Sequence, residues 1–210
     1  MRSDMVRLRR LDVDALSIRR GPRTLFRGLT FSVRAGEAVA LSGDNGAGKT
    51  SLLRAIAGLL APSEGEIAFS ADDVRLEAQE AIRNQTHLIG HLDGLAGTRS
   101  GRSEMEFATA WTAGSQTLAH ETAERIGLSR LLELPISKLS AGQRRRIAMV
   151  RLISSPRPLW LLDEPNTSLD AATRDWLSEM MRAHLANGGL IVAAAHDPLA
   201  IETSIIEVGR

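Results

Sequence analysis

The sequence predicts an α/β fold built on a phosphate-binding loop, with a β-rich lobe wrapped around that core and a mostly helical insertion. Three observations predict it. First, Gly43-Asp44-Asn45-Gly46-Ala47-Gly48-Lys49-Thr50-Ser51 fits G-x-x-x-x-G-K-[ST]. It lies between the apolar run Ala38-Val39-Ala40-Leu41, read as a buried strand, and Leu52–Ala57, read as a helix. Second, Leu159-Trp160-Leu161-Leu162 is an apolar strand that ends in the carboxylates Asp163 and Glu164. Third, Leu190–Ala195 is another buried strand, with His196 at its carboxyl end, where open α/β sheets place their ligands.

In chain order, Val13–Ile18, Leu25-Phe26 and Leu29–Val33 read as short antiparallel strands, with a turn at Arg20-Gly21-Pro22-Arg23. Ala35-Gly36-Glu37 is the turn into the strand before the loop. Gly58 and Pro62 end the first helix, Ser63-Glu64-Gly65 is a turn, and Glu66–Phe69 returns as a strand. Leu88-Ile89-Gly90 reads as a short core strand. Ser103–Thr112, Gln116–Ile126 and Ser129–Leu134 are helix-compatible, and Pro135 closes them off. Residues 92–136 therefore read as a helical insertion in a single domain whose core and β lobe span about 1–91 and 137–210. Ser140 N-caps a helix running through Ile153, and Asp170 is the candidate cap of Ala171–Leu185.

Composition narrows the function classes. A chain of 210 residues with 43% apolar and 24% charged residues is that of an ordinary globular domain. A net charge of +1 disfavours direct nucleic-acid binding, and with no cysteine there are neither disulfides nor thiolate metal sites. No run reaches the roughly 18 apolar residues of a membrane span. Met1–Arg10 is basic but lacks the apolar core of a signal peptide. A cytosolic protein is expected, associated with membranes only through a partner or a surface patch.

The chemistry follows from residue types at these positions. Glycines let successive N–H groups turn inward, and the following helix start adds partial positive charge. Lys49 is the candidate to reach the β- and γ-phosphates of ATP, and Thr50 to hold Mg²⁺. Lys49 is one of only two lysines in the chain, against 24 arginines, so it does not come from a lysine-rich background. A buried strand ending in Asp163-Glu164 is costly unless the charges meet a cation or a reacting group. Phosphoryl transfer supplies both, with Asp163 ordering Mg²⁺ and Glu164 orienting or deprotonating the attacking water. Ser140, Gly142 and Gln143 form a second anion-receptive helix start, which in isolation is only a capped helix. Arg144-Arg145-Arg146 reads as a partly solvated helix face, with Arg145 or Arg146 pairing a local carboxylate.

Together, Gly43–Thr50, Leu139–Gln143, Leu159–Glu164, Ser168–Asp170 and His196 resemble the Walker A, signature, Walker B, D-loop and switch-histidine motifs of ATP-binding-cassette (ABC) ATPases. The resemblance covers nearly the whole chain. It implies an ABC-type P-loop NTPase with a RecA-like core, an antiparallel β subdomain and a helical subdomain. It also implies a head-to-tail homodimer in which the Ser140 helix of one cassette closes on the γ-phosphate held by Lys49 of the other, with Glu164 and His196 serving hydrolysis. Within that superfamily, Arg23–Leu29, Ile89–Leu95, Leu139–Arg146 and His196–Leu199 are similar to the haem-exporter ATPases of cytochrome c maturation. That similarity implies transmembrane exporter subunits as partners, a peripheral position on the cytoplasmic face of the inner membrane, and haem as a cargo met only indirectly.

Two departures from the cassette pattern stand out. The slot for the adenine-stacking aromatic falls near Arg19 or Arg20, and the chain has no tyrosine; an arginine plane is the candidate substitute. The glutamine that links core and helical lobe is also missing, and its place falls at His91 or Leu92. An exporter ATPase is expected to present an apolar groove around Leu92, Leu95, Met105 and Phe107, although Met105 and Phe107 read equally well as helical core. An exporter with another cargo, and a soluble cassette acting without a membrane partner, remain open alternatives.

Overall fold

The computed structural model describes residues 6–91, 93–195 and 197–209. Leu92 and His196, both singled out above, lie outside the described residues. The chain forms two compact units, one of 1–88, 158–165 and 178–210, the other of 89–157 and 166–177.

The first unit opens with β1 (Arg10–Arg20) and β2 (Arg23–Arg34), a long antiparallel pair. Three short strands were expected here. Register shifts between Val13 and Leu16, Leu16 and Ile18, and Ile18 and Arg19 explain the difference, because each slip interrupts the apolar alternation without ending the pairing. β3 (Ala38–Ser42) leads through the glycine-rich loop into α1 (Lys49–Ile56). Then come β4 (Glu64–Ala71), β5 (Val74–Arg75), α2 (Ala78–Gln85) and β6 (Thr86–Ile89). β5 and α2 were not anticipated. β5 is two exposed residues, and α2 buries only Ala81 and Gln85, so neither carries a hydrophobic period.

β1, β2, β4 and β5 form an antiparallel sheet in the order β2-β1-β4-β5. After the second unit come β7 (Leu159–Asp163), the end of α6 (Ala171–Ala186), β8 (Leu190–Ala194) and β9 (Ser204–Glu207). A five-stranded sheet runs β6-β7-β8-β3-β9, with β3 parallel to both β8 and β9, and β7 parallel to β8. All five residues of β7 and of β8 are buried, as expected of parallel strands covered on both faces. Leu41, Leu52, Leu53, Ile56, Leu161 and Val192 join Leu16, Ile18, Phe26 and Phe69 in one apolar core. This α/β arrangement places the carboxyl ends of β3, β7 and β8 side by side.

The second unit contains α3 (Gly101–Trp111), α4 (Gln116–Arg125) and α5 (Ala141–Ser154). Each begins at a serine whose side chain accepts a backbone N–H: Ser100, Ser115 and Ser140. Ser129–Leu134, expected as a helix, consists of turns. It is squeezed between Gly127, at φ +70°, and Pro135, too short to repay helix nucleation. Met105 is 2% exposed and belongs to the helical core, whereas Phe107 is 52% exposed. Phe107 stacks on Trp111, and the Arg99 guanidinium carbon lies 5.0 Å from the Phe107 ring centroid.

One clamp in the first unit has a pH signature. The His184 ring lies against Trp160, with centroids 3.9 Å apart. Its Nε2 sits 3.0 Å from Pro158 O and 3.4 Å from Leu190 O. Burial pushes the His184 imidazolium down to about 4, against the carbonyl contacts, which favour the charged form. The unfolded chain therefore binds a proton here between about pH 6.5 and 4 that the folded chain does not, so stability falls as pH drops through that window. His184→Phe is expected to remove up to about 3 kcal/mol of this pH dependence. Urea denaturation of both proteins from pH 7 to 4 measures it, and parallel curves would show that His184 titrates normally.

Candidate functional site

The site forms where β3 and β7 end in the first unit. Gly43, Gly46 and Gly48 take φ values of +133°, +82° and +114°, conformations that glycine adopts without strain. A Cβ on Gly43 would lie 2.3 Å from Val208 O, so the loop is packed from behind as well as bent. Gly48 is the N-cap of α1 and offers no side chain to its first turn. The helix-start donors are thus left for an anionic ligand. Lys49 is 8% exposed, and its Nζ donates to Gly43 O at 2.5 Å and to Asp44 O at 3.2 Å. These neutral acceptors hold the ammonium over the loop without neutralising it. Asp44, Asn45 and Gly46 are exposed, and Ser51, the third residue of α1, is half-buried.

Thr50 brings the two halves of the site together. Its hydroxyl lies 3.1 Å and 3.0 Å from the two carboxylate oxygens of Asp163, which is 3% exposed at the end of β7. A hydroxyl and a buried carboxylate converging beside a phosphate loop are hard oxygen donors. They suit a divalent cation that takes one or two protein ligands and completes its shell with phosphate and water. Glu164 follows at φ +50°, a strained position for a side chain of its size. Its N–H donates to Ala194 O at 2.7 Å, which pins it beside the end of β8.

The second unit carries the other predicted residues. Ser140 N–H donates to Gln143 Oε1 at 2.8 Å, and Gln143 N–H to Ser140 Oγ at 3.2 Å. These two side chains cap α5 reciprocally, a capping box. A ligand arriving at this helix start must exchange those bonds for its own. Gly142 packs against the Ser168 turn, where a Cβ would fall 2.2 Å from Ser168 O. Ser168 itself is at φ +64°. Asp170 then accepts the Thr173 N–H at 2.8 Å, and its hydrogen bonds from Thr173 hold its carboxyl below the usual range. The expected cap is therefore present.

Of Arg145 and Arg146, expected on a partly solvated face with one of them pairing a local carboxylate, Arg145 makes that pairing but from a buried position. It is 4% exposed, donating to Gly90 O at 2.5 Å and to Asp93 Oδ1 at 3.0 Å. Nearby Arg151 is lowered to about 10, chiefly by burial, with Asp93 opposing and Arg145 and Arg157 adding to the drop. Asp93 offsets part of the charge that this buried arginine cluster concentrates. A run of three arginines gave no sign that the middle one turns inward. His91 is exposed.

An α/β sheet with a phosphate loop, a threonine–aspartate pair and a capped LSAGQ helix defines an ATP-binding-cassette ATPase. The ABC transporter family model matches residues 26–167. The chain belongs to that family and, within it, to the group of cytochrome c biogenesis ATP-binding export proteins, CcmA. It is similar to the protein of that name from Bradyrhizobium diazoefficiens, with 46% identity over 90% of this chain and 93% of the relative. It is also similar to one from Rhodopseudomonas palustris, with 44% identity over 95% and 98%. Among solved structures, an ATP-binding subunit of an ABC transporter superposes with a TM-score of 0.80 at 26% identity, covering 95% of this chain and 85% of that one.

Gly142→Ala is expected to destabilise the protein by about 1–3 kcal/mol, because the methyl group must displace the Ser168 carbonyl. Equilibrium denaturation measures the cost. An unchanged midpoint would mean that the Ser168 turn yields freely.

Proposed function

We propose that this protein is the ATP-hydrolysing subunit of an ABC exporter that serves cytochrome c biogenesis and haem export. One observation carries the catalytic part: Lys49, Thr50 and Asp163 converge at the carboxyl ends of β3 and β7, with Glu164 fixed beside them. The export assignment is supported by relatives named for that role over nine-tenths of the chain. No helix among the described residues is long and apolar enough to cross a membrane, so membrane subunits must come from partners. In this reading the chain is peripheral to the inner membrane, and haem is met only indirectly.

In the proposed cycle, the loop N–H groups and Lys49 hold the triphosphate of ATP. Thr50 and Asp163 are the residues that would hold Mg²⁺, which supplies charge neutralisation on the β- and γ-phosphates. Glu164 orients a water for in-line attack on the γ-phosphorus and accepts its proton, and its pinned backbone keeps the carboxylate from drifting. His196 completes the catalytic set by resemblance. Ser140, Gly142 and Gln143 of a second copy cover the γ-phosphate in a head-to-tail pair. Because their capping box is intact in the single chain, closure exchanges one set of hydrogen bonds for another, which suits a reversible clamp. The second unit acts as the helical subdomain that carries this clamp.

Lys49→Ala is expected to weaken ATP binding by roughly 10- to 100-fold. Glu164→Gln is expected to keep ATP binding, accumulate a closed dimer and lower turnover by at least ~100-fold. Nucleotide titration, gel filtration with ATP and phosphate release measure these outcomes. Normal turnover in Glu164→Gln would remove Glu164 from its role. Affinity purification from detergent-solubilised membranes of the native host tests the export assignment. Small polytopic proteins with a haem-carrying chaperone are expected, and recovery of no membrane protein would refute it.

A further inference from the structure

A buried ion pair is a poor source of stability, because well-packed apolar side chains of similar volume commonly hold a fold as well or better. The second unit nevertheless contains one. Arg145 and Asp93 lie 3.0 Å apart, with their side chains 5% and 13% exposed. The same guanidinium nitrogen donates to Gly90 O at 2.5 Å. α5 is thereby joined to the segment after β6, more than fifty positions earlier in the chain. What these bonds supply that apolar contact does not is direction. A hydrogen bond fixes distance and angle within narrow limits, whereas apolar surfaces slide past one another.

The residues on either side make ties of the same kind. Arg144 donates to Leu139 O at 2.5 Å, and Arg146 donates at 3.1 Å to the carbonyl of Ile126, the C-cap of α4. Successive residues of a helix point about 100° apart, so three consecutive arginines reach three different neighbours. Of the three, Arg145 is the one with an ion pair among the described residues. It lies two positions beyond Gln143, so a tilt of the helix about this tie is passed directly to the capping box of Ser140 and Gln143. That turn is where tilt matters. In the head-to-tail pair proposed above, Ser140, Gly142 and Gln143 must meet a phosphate held by the other copy. Such groups work only when held within about 0.5 Å of the productive geometry.

We propose that Arg145, gripped by Asp93 and Gly90 O, is a positioning residue that aims the start of α5 for closure on the nucleotide of a second copy. It is buried, so it acts through Ser140, Gly142 and Gln143 and not by contact with ATP. The inference rests on the head-to-tail reading and adds to it the pair that sets the angle of the clamp.

The test removes the direction and keeps the packing. In the full chain carrying Glu164→Gln, Arg145→Met is combined with Asp93→Leu. The measurements are the urea midpoint, single-chain ATP affinity by nucleotide titration, and ATP-driven dimerisation by sedimentation across a protein dilution series. The double variant is expected to keep its midpoint or raise it. It is expected to bind ATP within about twofold of the parent chain, yet to need roughly 10- to 100-fold more protein to dimerise. Arg145→Lys, which keeps the charge on a donor without the rigid plane, is expected to fall between the two. Unimpaired dimerisation in the double variant would overturn the proposal. So would a lowered midpoint or a parallel loss of single-chain ATP affinity, since the pair would then serve folding. If the Glu164→Gln chain with Arg145 and Asp93 intact bound ATP but stayed monomeric, the head-to-tail reading itself would fail. If it bound no ATP, the ATP-binding reading would fail.

Discussion

The ends of β3 and β7 in the first unit are organised around a loop whose backbone donors are not satisfied by its own side chains. Three glycines at positive φ create the concavity, α1 begins without a side-chain cap, and Lys49 is tethered only by backbone carbonyls. None of these groups is cancelled by a carboxylate inside the loop. The buried carboxylate at the rim, Asp163, is engaged by Thr50. The result is a loop whose backbone donors and ammonium are left for an anion, with a hydroxyl and a carboxylate at its edge.

The second unit solves a different problem. Its helices are short and serine-capped, and α5 presents its first turn with the caps satisfied internally. The close approach of Gly142 to Ser168 couples that turn to the segment that starts α6. The Arg145–Asp93 pair fastens the middle of the same helix to the first residues of the unit. Removing one member of such a pair leaves a buried charge without its counterion, so its cost far exceeds that of a surface salt bridge. α5 is therefore held from several directions while its N-terminal face stays exposed.

Much of this was legible in the sequence where one local rule fixes both structure and chemistry. The loop at Gly43–Ser51, the apolar runs of β7 and β8, and the caps at Ser140 and Asp170 are of this kind. Legibility failed where tertiary packing overrides local pattern. β1 and β2 read as fragments because bulges reset their alternation. Ser129–Leu134 has helix-forming residues but too little length between Gly127 and Pro135. Arg145 sits in an arginine run that gives no hint of which member is buried. The contacts of Gly43 with Val208 and of Gly48 with Phe26 join segments too distant in sequence for any periodicity to report.

That last separation governs when the site comes into being. β3, which delivers the phosphate loop, finds its two sheet neighbours in β8 and β9: Val39 meets Val192 on one side and Ser204 on the other. Both partners are made about 150 residues after β3 itself. At roughly 5–20 residues per second, the finished motif waits on the order of ten seconds or more for the strands that shape it. During that interval it is a glycine-rich segment without a cradle. Nucleotide affinity in a growing chain therefore switches on late and abruptly, when the far end of the sequence docks against the near one.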